Sequence, residues 1–237
     1  MLIHKCKPLA FDPELQARIS LIYNCALIKS LEGRQVQEAV CGIFHTLLFH
    51  RTLGKFHYKK EGSYSVGTVG FEDIFCDFID FTYVRCASED LNRTLTKEVS
   101  AFSEQLRSTD GPRQGQISLE FYQKKRARWL LPAESIPWEV WNIKVNVLTL
   151  PNEHERQKYR ESVGDVLADK VMAVAASINR HEYIPKMPGQ SDLDLIFDTS
   201  YSDVQPYLFK VLYQTSGPSN TSVGTTVRKL LKDTLSF

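Results

Sequence analysis

The sequence predicts an α+β fold with a mostly antiparallel sheet, and two kinds of apolar spacing favour it. Apolar side chains occupy every second position at Ile117–Phe121, Trp141–Val147 and Tyr207–Tyr213, which is typical of strands. In other segments, apolar residues recur at spacings of three and four, which is typical of amphipathic helices. The predicted order is strand, helix, strands, helix, strands, long helix, strand and helix, and this order is typical of an α+β domain.

The length and charge of the chain limit the classes of protein it can represent. It has 237 residues, with 29 Lys and Arg against 28 Asp and Glu, so the formal net charge is +1. The length fits one large domain, or one domain plus tails. Hydrophobic residues make up 43%, which is enough for a packed core. The near-neutral balance argues against a protein that mainly wraps nucleic acid or coats an anionic membrane.

Cysteine usage and hydropathy indicate a cytosolic chain. The five cysteines are odd in number and form no C-x-x-C pair, so a disulfide scaffold or a structural zinc site is not expected. The apolar run at Ile19–Ile28 contains an Asn and is shorter than the roughly 20 residues of a spanning helix. We therefore expect reduced thiols, no signal peptide and no transmembrane segment.

The first half of the chain contains two predicted helices and several strands. Residues 1–20 show no sustained period, Tyr23–Ile28 fits a strand, and Phe78–Arg85 has strand composition. The first helix is predicted by apolar positions that Gly54 would terminate, namely Val36, Ala39, Val40, Ile43, Phe44, Leu47 and Leu48. The second is predicted by positions that Ser88 would cap, namely Leu91, Leu95, Val99, Phe102 and Leu106.

The second half contains the longest predicted helix. Asn152 with Glu155 three residues later resembles a capping box at its start. Its apolar stripe consists of Tyr159, Val163, Val166, Leu167, Val171, Val174 and Ile178. A terminal amphipathic helix is predicted by Val227, Leu230, Leu231 and Leu235.

We find no motif that predicts catalysis, a cofactor or a metal. The segment Gly62–Gly70 lacks the Lys of a phosphate-binding loop and favours a glycine-rich hairpin. The six histidines form no H-E-x-x-H pattern. On the predicted strand, Asp77 and Asp80 point to opposite faces, so with Glu72 they favour solvated strand-edge residues over a general acid and base.

The segment between two of the predicted strands is unusual for a loop. The cluster Lys124, Lys125, Arg126 and Arg128 favours a solvated rim over a site for nucleic acid or anionic lipid. It is followed by Trp129, Leu130, Leu131 and Pro132, a bulky apolar group where loops are normally polar. The pattern leaves two interpretations open: the group folds into the core, or it stands out as a binding surface.

Ten ordered blocks between Tyr23 and Phe237 are similar to the autophagy-related protein 101 family. These blocks are Glu32–Val36, His50–Arg51, Gly54–Gly62, Cys76–Arg85, Ser118–Lys125, Ile136–Trp141, Asn179–Tyr183, Pro185–Pro188, Asp203–Leu208 and Leu231–Leu235. The resemblance implies a HORMA fold: a mostly antiparallel sheet packed by three main helices, with a protruding loop. It places residues 1–20 in an extension outside the family and residues 21–237 in a single HORMA domain.

The resemblance also implies a function. It implies a non-catalytic, cofactor-free cytoplasmic adaptor of autophagy initiation, present at the phagophore assembly site on induction. Its expected partner is the HORMA domain of autophagy-related protein 13, with the Unc-51-like kinase and its scaffold subunit contacted indirectly. The family's finger, Trp-Pro-Phe, recruits downstream factors; Trp129 matches its Trp, whereas Leu130 and Leu131 replace the Pro and Phe.

Four polar residues are predicted at the dimer surface because they follow apolar stripes, as a polar rim would: His50, Arg51, Arg180 and His181. Ordinary helix-end charges remain an alternative for them. For the whole chain, a chromosomal HORMA adaptor and an enzyme of unrecognised mechanism remain alternatives.

Overall fold

The structure, a computed structural model, describes residues 23–60, 63–107, 113–125, 134–178 and 184–215. These residues contain ten strands and three α-helices. The strands are β1 (Tyr23–Glu32), β2 (Thr52–Gly54), β3 (Phe56–Lys60), β4 (Ser63–Val66), β5 (Phe71–Phe75), β6 (Thr82–Cys86), β7 (Gln114–Lys124), β8 (Ser135–Leu148), β9 (Val204–Pro206) and β10 (Phe209–Thr215). The helices are α1 (Val36–His50), α2 (Glu89–Arg107) and α3 (Glu153–Ile178). A short 3-10 helix covers Gln190–Leu195.

The main sheet has four strands in the order β1-β8-β7-β10. Its β7–β8 and β7–β10 pairs are antiparallel, whereas β1 runs parallel to β8. The remaining strands form three antiparallel pairs, β2–β9, β3–β4 and β5–β6. The α+β class with mostly antiparallel pairing is therefore confirmed. The parallel pair was not predicted, because apolar periodicity carries no information about strand direction.

The core is built around α1, which is buried on nearly all sides. The whole apolar stripe predicted for α2 is at most 3% exposed, so that prediction is confirmed. In α3, Val163, Leu167, Val174 and Ile178 are buried, but Val166 is 44% exposed. At 100° per residue, Val166 lies about 90° around the helix from the centre of the buried stripe, which explains its exposure.

Gly54 does not terminate α1. The helix ends at His50, where the Arg51 N–H donates to the carbonyls of Leu47 and Leu48. Gly54 lies in β2, and a Cβ there would stand 2.0 Å from the Gly67 carbonyl oxygen. The glycine is required because two backbones meet at this point, since no side chain fits between them.

The segment before β6 is not a strand, contrary to prediction. The strand begins at Thr82, and the chain before it bends. The Glu38 carboxylate accepts the N–H groups of Asp77 and Phe78 at 2.8–2.9 Å, and the Gln35 amide donates to the Phe78 carbonyl at 3.0 Å. These bonds from α1 satisfy the backbone groups that a sheet would otherwise pair.

Two predicted helix starts have different outcomes. Asn152 Oδ1 accepts the Glu155 N–H at 2.9 Å, so the capping start of α3 is confirmed. Ser88 precedes α2, but its hydroxyl donates to Asp203 Oδ1 at 3.0 Å instead of serving the helix. The predicted terminal helix and residues 1–20 lie outside the described residues.

Replacing Gly164 with Ala should destabilise the fold, although Ala is favoured over Gly in helices by about 1 kcal/mol. A Cβ at Gly164 would stand 2.3 Å from the Asp80 carbonyl oxygen, so α3 and the bend before β6 would have to separate. We expect a loss of about 1–3 kcal/mol in urea unfolding. The exposed Ser162→Ala on the same helix is the control; a Gly164→Ala variant as stable as this control would contradict the packing argument.

The pH dependence of stability should contain a contribution from His45. Its ring is 2% exposed and stacks on Tyr83 at 5.6 Å. Burial, and then the charge of Arg85, lower its pKa from 6.5 to about 3. The unfolded chain therefore binds this proton first, so stability is complete above about pH 6.5 and is lost as pH falls towards 3.

We expect the free energy of unfolding to be about 2 kcal/mol smaller at pH 5 than at pH 7.5 because of this group. His45→Phe keeps an aromatic ring and should remove that difference, as measured by urea titration at both pH values. An identical pH dependence in both proteins would show that His45 does not contribute.

Candidate functional site

The acidic and sulfur-bearing side chains of the described residues do not assemble into a metal centre. No group of three or more His, Cys, Asp or Glu there is arranged to hold a metal ion. Glu72 pairs with Arg85 at 2.7 Å, while Asp77 and Asp80 lie on the bend before β6. Burial raises the pKa of the Cys41 thiol to about 12, which disfavours the reactive thiolate.

None of the described helices is both long enough and apolar enough to cross a lipid bilayer.

The predicted finger lies in the connection between β7 and β8, the two longest strands. They pair antiparallel from Gln114 with Asn146 up to Lys124 with Ser135. Beyond this pair, the Lys125 N–H donates to the Glu134 carbonyl at 2.9 Å, and their side chains form an exposed ion pair at 3.2 Å. Residues 126–133 follow, and these include Trp129, Leu130, Leu131 and Pro132, which lie outside the described residues.

A β-bulge at Trp138 interrupts the hairpin below this connection. Phe121 pairs with Glu139 and Tyr122 pairs with Pro137, so Trp138 has no partner of its own. Trp138 is 6% exposed and packs against Phe121 and Tyr207, at centroid distances of 5.7 and 5.2 Å. Bulges bend and twist a strand, so this residue influences the direction of the last paired positions of the hairpin, from Tyr122–Pro137 to Lys124–Ser135.

Pro137 lies inside β8, near its start. Within the described residues, β1 pairs with β8 only from Val140 onwards, so no described strand pairs with the other edge of β8 at Pro137. A proline without an N–H fits such an edge.

Arg51 and Glu139 form a buried ion pair beneath the same hairpin. Arg51 Nε donates to Glu139 Oε2 at 2.8 Å, and the two side chains are 5% and 2% exposed. Trp141 Nε1 donates to the second carboxylate oxygen of Glu139. The guanidinium also lies 5.7 Å from the centroid of the Trp138 ring. Its charge therefore faces the interior, whereas we had expected a polar rim residue at Arg51.

The same guanidinium joins the ends of α1 and α3. Arg51 Nη2 donates to the Ile178 carbonyl at 2.9 Å, in the last turn of α3. His50 is half-buried beside it, and its pKa is lowered by burial and then by the Arg51 charge. Arg51 and Ile178, which lie next to the two halves of the predicted dimer surface in sequence, are thus in contact. Arg180 and His181 themselves lie outside the described residues. The dimer surface stays a prediction.

The buried position of Glu139 was not predicted from the sequence, although the alternation along β8 contains a signal for it. It has the same parity along β8 as Trp141, Ile143 and Val145, which are all buried. A carboxylate in line with the core-facing residues of a strand predicts a buried cationic partner, because an unpaired charge would be too costly there.

Removing either member of the pair should be far more destabilising than breaking the exposed pair near the finger. We expect Arg51→Met to lower the free energy of unfolding by about 3–5 kcal/mol, because Glu139 would be left charged and buried. Lys125→Met removes the exposed partner of Glu134 and should cost less than about 1 kcal/mol.

The double variant Arg51→Met with Glu139→Leu should recover part of the loss, since no uncompensated charge remains. Urea unfolding measures all three proteins. If Arg51→Met were no more harmful than Lys125→Met, the pair would not organise this region.

Comparisons with known proteins agree on one family. Residues 29–191 match the family model described as Autophagy-related protein 101. The chain is 59% identical over 217 residues to Autophagy-related protein 101 of Xenopus tropicalis, and this alignment covers 90% of this chain and 100% of the relative. It is 56% identical over the same shares to that of Homo sapiens.

A more distant match, Autophagy-related protein 101 of Arabidopsis thaliana, is 28% identical over 131 residues, covering 53% of this chain and 54% of the relative. The range matched by the family model, residues 29–191, contains α1 to α3, the Arg51–Glu139 pair and both strands of the β7–β8 hairpin. With most of its length matched by the family model and by relatives covered from end to end, this chain belongs to the autophagy-related protein 101 family.

Proposed function

We propose that this protein is a non-catalytic HORMA-domain adaptor of autophagy initiation. In this proposal it pairs with the HORMA domain of autophagy-related protein 13 inside the Unc-51-like kinase complex. It recruits downstream factors to the phagophore assembly site through a finger at Trp129. Membership of the autophagy-related protein 101 family supports the process, and the construction of the β7–β8 hairpin supports the mode of action.

The observation that carries the recruitment role is the regular pairing of β7 with β8 up to the base of the finger. The ladder continues to Lys124 and Ser135, and the Lys125–Glu134 hydrogen bond and ion pair follow it. A two-stranded support of this kind fixes where the loop begins and ends, so a bound partner need not order the stem. Binding loops are commonly positioned by a rigid scaffold in this way.

The apolar chemistry of the loop fits an anchor for another protein. Trp129 and Leu131 follow four basic residues of the 124–128 segment, so the loop combines a large apolar surface with positive charge. Tryptophan is enriched among the residues that dominate binding energy. Leu130 and Leu131 retain apolar area but lack the rigidity of Pro and the ring of Phe, so this protein depends more heavily on its Trp.

The dimer role is supported by the junction around Arg51. The buried guanidinium holds the end of α1 against the end of α3, and both ends lead to residues predicted at the dimer surface. Within that surface, His50 is the half-buried residue beside the junction, and Arg180 and His181 follow α3 in sequence. In this arrangement Arg51 positions the surface, and its neighbours contact the partner.

Trp129→Ala should separate recruitment from folding and from dimer formation. We expect the free energy of unfolding to change by less than about 1 kcal/mol, as for a surface residue. Pull-down from cell extract should retain autophagy-related protein 13 and lose downstream factors, because only the finger anchor is removed. Quantitative mass spectrometry of the captured proteins measures both outcomes together.

Phe75→Ala is the matched control, since Phe75 is a 79% exposed aromatic residue on β5, outside the finger. It should retain both sets of partners. A Trp129→Ala protein that unfolds about 3–5 kcal/mol more easily would place the Trp in the core instead. Retained recruitment by a stable Trp129→Ala protein would rule out the finger role, and failure to capture autophagy-related protein 13 with the unaltered chain would contradict the dimer.

A further inference from the structure

We propose that a cavity at the end of α2 binds a phosphorylated side chain of a partner protein. The cavity has a volume of about 280 Å³ and lies between the turn after β1, the last turn of α2 and the end of β8. Its polar lining consists of Glu32, Arg34, Arg107, Arg113 and Thr149. The proposal is independent of the finger and of the dimer surface.

Three guanidinium groups line the cavity against a single carboxylate. That carboxylate, on Glu32, is already engaged: Oε2 accepts a hydrogen bond from Arg34 Nε at 2.8 Å, and Oε1 forms an ion pair with Arg156, with 2.8 Å between Oε1 and Nε. Within the described part of the chain, Arg107 and Arg113 form no ion pair with an acidic side chain. The cavity thus presents two positive charges that no acidic side chain of the described residues compensates.

Arg107 and Arg113 are both positioned by their surroundings. The Val147 N–H donates to the Arg113 carbonyl at 2.7 Å, and Arg113 Nη1 donates to the Thr149 hydroxyl at 3.0 Å. Arg107 lies against the backbone of Gly33, where a Cβ would come within 3.1 Å of its Cγ. The glycine therefore makes room for the stem of Arg107 at the cavity wall.

The charge and geometry favour a phosphate monoester over a carboxylate. A phosphorylated side chain carries about −1.5 to −2 charges, which matches two free guanidinium groups, whereas a carboxylate carries one. Guanidinium groups also bind phosphate oxygens in bidentate fashion. The Thr149 hydroxyl is a further polar group at the cavity wall.

The apolar part of the lining favours a protein as the source of the phosphate. Leu106, Val147 and Leu148 line the cavity beside the arginines, and they would contact aliphatic atoms next to the phosphate. Phosphoserine flanked by apolar residues offers such atoms, whereas the inositol ring of a phosphoinositide headgroup offers hydroxyls at this distance. We therefore commit to a phosphorylated segment of a partner protein.

The test is a titration of the ¹⁵N-labelled full-length protein with acetyl-Leu-phosphoserine-Leu-amide, followed by NMR. We expect the amide signals of Gly33, Leu148 and Thr149 to shift, and the same peptide with Ser or Glu in place of phosphoserine to bind at least tenfold more weakly. Arg107→Gln with Arg113→Gln should weaken binding of the phosphopeptide by more than tenfold.

Two further variants distinguish a built site from general charge. Arg93→Gln removes one positive charge from the same helix, α2, and should leave the affinity within twofold. Thr149→Val keeps the net charge but removes the hydroxyl that holds Arg113, and it should weaken binding several-fold. The single variants Arg107→Gln and Arg113→Gln are measured beside Arg93→Gln. If all three lost the same affinity for the phosphopeptide, binding would depend only on net charge and the proposal would be overturned.

Vesicles of phosphatidylcholine with phosphatidic acid provide the competing source. The proposal requires that they cause no shift at Gly33, Leu148 or Thr149 that depends on Arg107 and Arg113. A phosphopeptide without effect on these signals, or vesicles that shift them in a way that depends on the same two arginines, would overturn it.

Discussion

The buried ion pair of Arg51 and Glu139 is the constraint around which the rest of the domain is arranged. Two charges with 5% and 2% exposure are costly to bury, so every polar atom around them needs a partner. The carboxylate is shared with the Trp141 indole, and the guanidinium reaches the end of α3. One helix terminus, one strand and a second helix terminus are thereby fixed relative to each other, and apolar packing alone would not specify their angles so closely.

Local periodicity was sufficient wherever one face of an element meets the core. The stripe of α2 and the alternation in β8 are of this kind, and both are buried as expected. It failed where distant groups decide the local structure. The bend before β6 depends on Glu38, Gly54 is required by the backbone of Gly67, and Arg51 is buried because Glu139 faces it. In the candidate site, the resemblance located the finger, whereas the bulge and the ion pair beneath it appear only in the structure.

The two regions that we propose for recognition lie at the surface, apart from the residues that form the core. The buried pair and α1 lie inside, and the finger connection lies at the far end of a paired hairpin. The arginine-lined cavity is on another side, where α2 ends. All three regions share β8: Glu139 lies within it, the finger connection precedes it, and Val147 and Leu148 at its end line the cavity. The buried pair therefore holds the strand from which both surface regions extend.

The bulge at Trp138 has a consequence for changes in the length of the hairpin. Side chains on a strand alternate between faces, so the bulge determines which face each residue between Ser135 and Pro137 occupies. Adding one residue to this short stretch would turn the connection over and present its side chains on the opposite side of the sheet. A change of two residues would instead keep every side chain on its present face. The hairpin thus fixes the orientation of the connection through the number of residues in its strands, whatever side chains the connection itself carries.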